Sequence, residues 1–250
     1  MNKIARIAEV RRNVLKRNDV VAQSLRQRFQ DAGVFVVSMV SSPGSGKTTL
    51  LEKTLTSLQP RYRVAALVGD LATDNDAVRL ARSKAPVKQI TTGTLCHLEA
   101  AMIDEALKDW NVNELDFLFI ENVGNLVCPS SYDIGENLRL VLTSVTEGED
   151  KPLKYPTIFN SSDVAVITKM DLAATVGFDE AALRYNVETV CPKMAVLCVS
   201  SKTGSGIDSY LNFLQCRRAG SHNRELPNDS AVSLPPCHES DQIRAHKKLV

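Results

Sequence analysis

No apolar run in this chain approaches the ~18 residues that cross a bilayer, and its first residues lack an uninterrupted apolar segment of the secretory kind. The expectation is a cytoplasmic chain with no membrane partner. Charge of one sign is also missing. Thirty Lys and Arg stand against 29 Asp and Glu, a net charge of +1, which gives no ground for expecting a nucleic-acid partner. Nor is there a Cys-x-x-Cys pair or an internal repeat. The six cysteines are irregularly spaced, which favours free thiols or metal ligands over a disulfide framework. What is present is ordinary globular material: 250 residues, 44% hydrophobic and 24% charged, enough to bury one full core.

Three stretches divide the chain. Residues 1–30 are basic, with apolar residues at Ile4, Ile7, Val10 and Val14, then at Val21, Leu25 and Phe29, a helical period. This predicts two amphipathic helices, the second capped by Asn18 or Asp19. A partner-docking arm and a transit peptide are the alternatives. Residues 31–216 alternate apolar β-rich runs (34–40, 64–68, 87–91, 117–120, 164–167 and 195–199) with helical stretches that include 48–58, 95–110 and 179–189. That alternation predicts a three-layer α/β/α fold around a mostly parallel sheet. Residues 217–250, with Pro227, Pro235 and Pro236, read as a flexible tail.

The run 34–40 leads into Ser41-Ser42-Pro43-Gly44-Ser45-Gly46-Lys47-Thr48-Thr49 and then a helix. Strand, glycine-rich turn and helix start form a phosphate-binding P-loop. Gly44, Ser45 and Gly46 would turn backbone N–H groups inward, Lys47 would face the β- and γ-phosphates, and Thr48 and Thr49 open the helix, Thr48 with a hydroxyl for Mg²⁺. Ser41 departs from the usual leading Gly. Asp70 follows the second run, with Thr73, Asp74 and Asp76 close behind, where acids reach Mg²⁺ or orient water. Thr168-Lys169-Met170-Asp171 stands where GTPases carry Asn-Lys-x-Asp, and Ser200-Ser201-Lys202 follows the last run. Asp171 can accept from the guanine N1–H and 2-amino group, which together with the Ser201-Lys202 turn points to GTP over ATP. Thr168 and Lys169 complete the nucleotide-binding candidates, but Thr168 in place of Asn removes one amide contact to the base, which weakens selectivity. Glu121-Asn122-Val123-Gly124 occupies the place of Asp-x-x-Gly. Glu121 and Gly124 thus join Lys47 and Asp70 as the candidate catalytic set, and Glu121 joins Thr48 and Asp70 as a Mg²⁺ candidate. With no arginine finger assignable, slow intrinsic turnover is expected.

Cys96 and His97 are adjacent, and Cys128 closes the string that begins at Glu121. Placed at a helix start after Thr94, the pair would converge and the helix dipole would favour thiolate. Two thiols and an imidazole suit Zn²⁺ or Ni²⁺, with water or a second chain as fourth ligand; small buried thiols and a surface His97 are the alternative. Cys191, Cys198 and Cys216 read as core.

The strings at 42–50, 69–77 (Gly-Asp-Leu-Ala-Thr-Asp-Asn-Asp-Ala), 92–100, 121–129, 133–136 and 145–156 (Val-Thr-Glu-Gly-Glu-Asp-Lys-Pro-Leu-Lys-Tyr-Pro) resemble those of the HypB family, the nickel-incorporation GTPases of nickel-iron hydrogenase maturation. Similarity runs from about residue 10 to 215. It implies that Cys96, His97 and Cys128 form a metal site at a homodimer interface that assembles with GTP, and that Ni²⁺ passes to a hydrogenase large-subunit precursor with a small HypA-type metallochaperone. Thr94-Leu95 replaces the Lys-Gly of many members, and neither a Cys-rich N-terminal nickel motif nor a His-rich stretch is present. A metal-free GTPase assembly switch, a nickel-delivery GTPase for another enzyme such as urease, and a P-loop kinase are the rival expectations.

Overall fold

The computed structural model describes residues 3–71 and 75–222. The side chains of Ile4, Ile7 and Val10, the acidic candidate Asp74 with its neighbour Thr73, and the tail from 223 onward lie outside the described part. The chain opens with α1 (Lys3–Ala32), then β1 (Phe35–Ser41), α2 (Lys47–Leu58), β2 (Val64–Asp70), α3 (Asn75–Leu80), β3 (Val87–Thr91) and α4 (Ala100–Ala106). It continues through β4 (Phe117–Glu121), β5 (Leu138–Ser144), the short helices α5 (Lys151–Lys154) and α6 (Pro156–Asn160), and β6 (Val164–Thr168). Last come α7 (Ala173–Val176), α8 (Glu180–Val190), β7 (Ala195–Cys198) and α9 (Ile207–His222).

The strands form one sheet of seven in the order β3-β2-β4-β1-β5-β6-β7, and every pairing is parallel. Parallel strands need a crossover after each one, so both faces become covered. Phe35, Val37 and Met39 of β1 pack with Leu51, Leu55 and Leu58 of α2 and Tyr210 and Leu214 of α9. The alternate residue Val36 faces Leu25 and Phe29 of α1 and Ile103 of α4. On that second face, further along the sheet, Leu183 and Val187 of α8 cover Val141, Ala165 and Ile167. The result is the expected three-layer fold, fully rather than mostly parallel.

Four details differ from the sequence reading. Apolar runs alone miss β5, the strand beside β1. Its second residue is Arg139, whose charge interrupts the pattern but is buried against Glu136 at 2.6 Å. The N-terminal segment is one helix, not two. Asn18 does not cap a second helix because its amide is turned into the core, donating to the Asp133 carbonyl and accepting from the Ala100 N–H. The third difference is the helix expected over 95–110, which is only α4. The Thr92 hydroxyl donates to the Leu95 carbonyl, Gly93 takes φ 64°, and Glu99 stays extended as the residue before the helix. Finally, α9 runs past the boundary at 217, because Arg218 is held at 2.7 Å by Asp116 at the N-terminal edge of the sheet.

Candidate functional site

β1, β2, β4, β6 and β7 all end at one edge of the sheet, as parallel strands must, and the turns after them carry the candidate residues. At the phosphate loop, Gly44 and Gly46 adopt φ of 76° and 84°, conformations closed to most side chains. Ser41 is not among the positive-φ residues. A side chain costs nothing there, and its hydroxyl donates to the Ser42 carbonyl at 2.8 Å. Lys47 Nζ lies 2.7 Å from Glu121 Oε1, and the Thr48 hydroxyl donates to the same oxygen at 2.6 Å. Glu121 is 1% exposed, and its Oε2 is buried with no hydrogen-bond partner. A buried carboxylate oxygen left over beside a P-loop threonine suits a divalent cation. Thr49 accepts from the Arg79 guanidinium of α3 at 2.9 Å, and that guanidinium also meets Glu52.

Two groups that the sequence reading passed over brace this loop. Glu147 follows β5 in a 3₁₀ turn, Val145–Glu147, and its Oε2 accepts from the Ser144 N–H and the Ser45 hydroxyl, both at 2.8 Å. Burial pushes the Glu147 carboxyl up. The hydrogen bonds from Ser144, Ser45, Ser42 and Lys151 outweigh that and hold it below the usual range. Lys151 bridges Glu147 to the Ser42 hydroxyl. The signal was available: Ser144-x-x-Glu147 is a capping box inside the 145–156 string.

Thr168 has a place of its own. Its hydroxyl donates to the Ser45 carbonyl at 2.5 Å, so the residue that replaces the usual Asn ties β6 to the phosphate loop. Lys169, in the left-handed conformation at φ 59°, reaches the Gly44 carbonyl at 2.7 Å. The buried Ser200 hydroxyl donates to Asp171 Oδ1 at 2.6 Å and orients that carboxylate. Ser201 and Lys202 occupy the turn that follows. Gly124 lies against the loop from the other side. A Cβ there would sit 3.0–3.1 Å from Pro43 Cγ, Cα and N, so a larger residue would push the phosphate loop back by a few tenths of an ångström.

The loop after β4 leads from the phosphate site to the sulfur ligands. Cys96, His97 and Cys128 present their ligand atoms within 4.8 Å of one another, and the two Sγ atoms are 3.0 Å apart. Cys96 and His97 occupy a bend three or four residues before α4, not its first turn. The expected depression of the thiol pKa by a helix N-terminus therefore does not occur. The Cys128 thiol, followed by burial, holds the Cys96 thiol above its ordinary value. His97 is 6% exposed and packs against the Tyr132 ring, with centroids 4.0 Å apart and planes tilted by 36°. Its Nε2 is 3.5 Å from Glu99 Oε1, and both ring nitrogens are buried without a hydrogen bond. Burial depresses the imidazole pKa, against the pull of Glu99, and so favours the neutral form that binds metal. Orphaned imidazole nitrogens beside two thiols are a donor set for a borderline or soft ion. Of the remaining cysteines, Cys198 is partly buried with its thiol pushed up to about 11 by burial, whereas Cys216 is exposed rather than core.

Backbone and amide contacts join the two centres. Asn122 follows Glu121 and is 3% exposed. Its Oδ1 accepts from the Leu98 N–H at 3.0 Å and the Val123 N–H at 2.9 Å. The Asp70 carbonyl accepts from the Thr92 N–H at 2.9 Å, which anchors the start of the Cys96 loop to the end of β2. Gly69 has Leu98 against it, since a Cβ there would meet the Leu98 side chain at 2.7 Å. The side chain of Asp70 itself accepts from the Leu71 N–H.

Fold and site together define a P-loop nucleotide-binding protein with a thiol–imidazole cluster one loop away from its phosphate site. The profile of the CobW/HypB/UreG nucleotide-binding domain matches residues 35–198. The hydrogenase maturation factor HypB of Rhizobium leguminosarum bv. viciae is 42% identical over 214 residues, 86% of this chain and 72% of its own length. The hydrogenase/urease maturation factor HypB of Helicobacter hepaticus is 42% identical over 210 residues, 82% of this chain and 86% of its own. A crystal structure of HypB from Helicobacter pylori in complex with nickel superimposes with a TM-score of 0.78 at 39% identity, over 87% of this chain and all of that one. The chain belongs to the CobW/HypB/UreG family of P-loop GTPases and, within it, to the HypB hydrogenase maturation factors. Among the described residues no helix is long and apolar enough to cross a membrane.

Proposed function

We propose that this protein is a cytoplasmic GTPase that binds Ni²⁺ through Cys96, His97 and Cys128, dimerises with GTP and delivers the ion to a hydrogenase large-subunit precursor, assisted by a HypA-type metallochaperone. The observation that carries this reading is the shared loop. Glu121, paired with Lys47 and Thr48, and Cys128, paired with Cys96, stand at the two ends of one segment that Asn122 and Asn125 fasten to the Cys96–Leu98 backbone. The relative from Helicobacter pylori was crystallised with nickel, which favours Ni²⁺ as cargo; Zn²⁺ suits the same donors.

In this reading the phosphate loop N–H groups and Lys47 hold the β- and γ-phosphates. Thr48, Glu121 and Asp70 would hold Mg²⁺, which when bound would supply charge neutralisation at the phosphates. Lys47 exchanges Glu121 for phosphate, so the carboxylate moves with nucleotide state. The Gly124 N–H faces the γ-phosphate, and Asp171, oriented by Ser200, reads guanine, with Ser201 and Lys202 beside it. Arg79 is engaged by Glu52 and Thr49, so among the described residues no arginine is assigned to the transition state. Intrinsic turnover is slow in consequence. A shift of the loop after Glu121 changes the position of Cys128 relative to Cys96 and His97, and reciprocity makes bound metal alter nucleotide affinity. Leu95 and Val127, each next to a ligand cysteine and 36% and 62% exposed, supply apolar surface for the dimer contact.

Urease is a second possible client, because the Helicobacter hepaticus relative carries the name of both enzymes. The test is a Ni²⁺ titration of the wild type and Cys128→Ala, each with GDP and with a non-hydrolysable GTP analogue. The reading requires that the substitution abolish the site and that the nucleotide change its affinity. Nickel binding indifferent to both overturns it.

A further inference from the structure

Among the described residues of α1, Asn18 makes polar contacts to both of the loops that carry Cys96, His97 and Cys128. Asn18 is 7% exposed. Its Oδ1 accepts from the Ala100 N–H at 2.9 Å, three residues after His97. Its Nδ2 donates to the Asp133 carbonyl at 2.7 Å, one residue after Tyr132. One amide thus spans both loops, and because its two ends differ in chemistry, only one orientation of the side chain satisfies both. One turn pair further along α1, Arg26 grips the Asp133 carboxylate at 2.7 Å and 2.8 Å. Between these contacts the 133–135 turn is pressed onto the helix. A Cβ on Gly135, whose φ is 82°, would meet the Ala22 carbonyl oxygen and Leu25 Cβ at 2.9 Å.

The far side of the same turn is fixed by the sheet. Arg139 of β5, buried with Glu136, donates to the Tyr132 carbonyl at 2.7 Å. Tyr132 therefore has its backbone held by β5 and the next residue held by α1, while its ring lies on His97. The imidazole that has no hydrogen bond to orient it is oriented instead by this ring contact and by the Asn18 link through Ala100.

We propose that Asn18 is a positioning residue of the Cys96–His97–Cys128 centre, with Arg26 in support: α1 clamps the two ligand loops together and so sets the geometry in which they meet an ion. The N-terminal helix is then part of the metal machinery rather than a cover for the sheet. This rests on the nickel reading above for the identity of the ion, but the clamp itself is testable without metal. Positioning groups behind metal ligands typically change affinity by about 10- to 100-fold.

The experiment compares the full-length wild type with Asn18→Ala, Asn18→Asp, Arg26→Ala and, as a control for buried-polar loss on the opposite face, Thr54→Val. Each is titrated with Ni²⁺, following the sulfur-to-nickel charge-transfer band, and with GDP. Each is also assayed without metal for the alkylation rates of Cys96 and Cys128. The expected result for Asn18→Ala is Ni²⁺ affinity lower by about 10-fold, a shifted band, faster alkylation of both thiols and unchanged GDP affinity. Asn18→Asp keeps the acceptor for Ala100 but sets a carboxylate against the Asp133 carbonyl, so it also weakens nickel. Arg26→Ala, an exposed pair whose loss the fold tolerates, moves in the same direction by less. Where Cys128→Ala shows that nickel uses this cluster, the nickel readout decides: affinity and band like the wild type, or equally altered in Thr54→Val, overturn the clamp. Where Cys128→Ala binds nickel like the wild type, the nickel reading fails on its own and the alkylation rates decide, unchanged rates overturning the clamp.

Discussion

The phosphate loop and the metal-ligand loops stand at one edge of one sheet, but their polar groups are satisfied in opposite ways. At the phosphate loop Lys47, Thr48 and Glu121 answer one another, Ser45 is held by Glu147 and Thr168, and Lys169 caps the Gly44 carbonyl. At the metal loops the backbone is fastened, by Asn18, Asn122 and Asn125, while the functional atoms are not: His97 keeps two buried nitrogens without hydrogen bonds and two thiols face each other. The first arrangement is a self-consistent set of charges that a nucleotide must rearrange. The second is a rigid frame around donors that only a ligand can complete. The proposed coupling uses this asymmetry, since the half that rearranges would have to move something the other half can feel, and Glu121-Asn122 is the covalent link between them.

The largest expected effect separates the halves by removing a charge. Lys47→Ala removes the cation proposed for the γ-phosphate and leaves the nearly fully buried Glu121 without its counter-charge. Breaking such a pair from one side costs about 3–5 kcal/mol. GDP and GTP binding should disappear and the thermal midpoint should fall, while Ni²⁺ binding at low temperature persists; loss of nickel binding in the folded variant would break the division into halves. Gly124→Ala is the next test. Its methyl would sit 3.0–3.1 Å from Pro43 atoms, two of them backbone, so the phosphate loop must shift by a few tenths of an ångström. Misplacing reacting groups is steeply penalised, and GTP turnover should fall about 10-fold, measured as phosphate release at saturating GTP. An unchanged rate would show that the loop yields freely.

Thr168→Val is smaller. It removes a hydroxyl that donates to the Ser45 carbonyl at 2.5 Å and strands that acceptor, a loss of about 1–2 kcal/mol in chemical denaturation. Thr168→Asn, the residue more usual at this place, tests whether the hydroxyl or the base contact matters more. The smallest effect is one of pH. The Glu147 carboxyl lies below its ordinary value of 4.5 in the folded protein. Its contribution to stability is thus complete above that ordinary value and is lost as pH falls through the lowered one. The midpoint of the wild type should drop more steeply than that of Glu147→Gln on acidification from about pH 6 to about pH 3. Parallel curves would remove Glu147 from the brace.

Much of the phosphate half was legible because its signals are local. A strand feeding two glycines, a lysine and a threonine has one structural meaning, and Asp171 and Ser201-Lys202 follow strand ends in the expected order. Within that half the sequence assigned Glu147 no role and Ser200 only a place in the string after the last run, since their importance is a matter of which distant side chain they touch. Thr168 looked like a loss and is a tether. In the metal half the residue types were legible, but their setting was not. Periodicity extended a helix over Cys96 and His97 because Leu98, Ile103 and Leu107 are apolar, whereas Gly93 and the Thr92 hydroxyl hold that stretch in a bend. β5 was passed over because a buried arginine looks like an exposed one until its carboxylate partner is in place.

By itself the sequence determined six of the seven strands, the phosphate loop and the chemistry of the candidate ligands, because turn geometry, periodicity and side-chain donors are written within a few residues. Only the tertiary structure decided that Cys96 and Cys128, 32 positions apart, bring their sulfurs to 3.0 Å. It also decided that α1 is one helix whose Asn18 faces inward, and that Thr168 serves the phosphate loop. Such contacts depend on how far each crossover carries the chain before it returns to the sheet, and no window of sequence contains that distance.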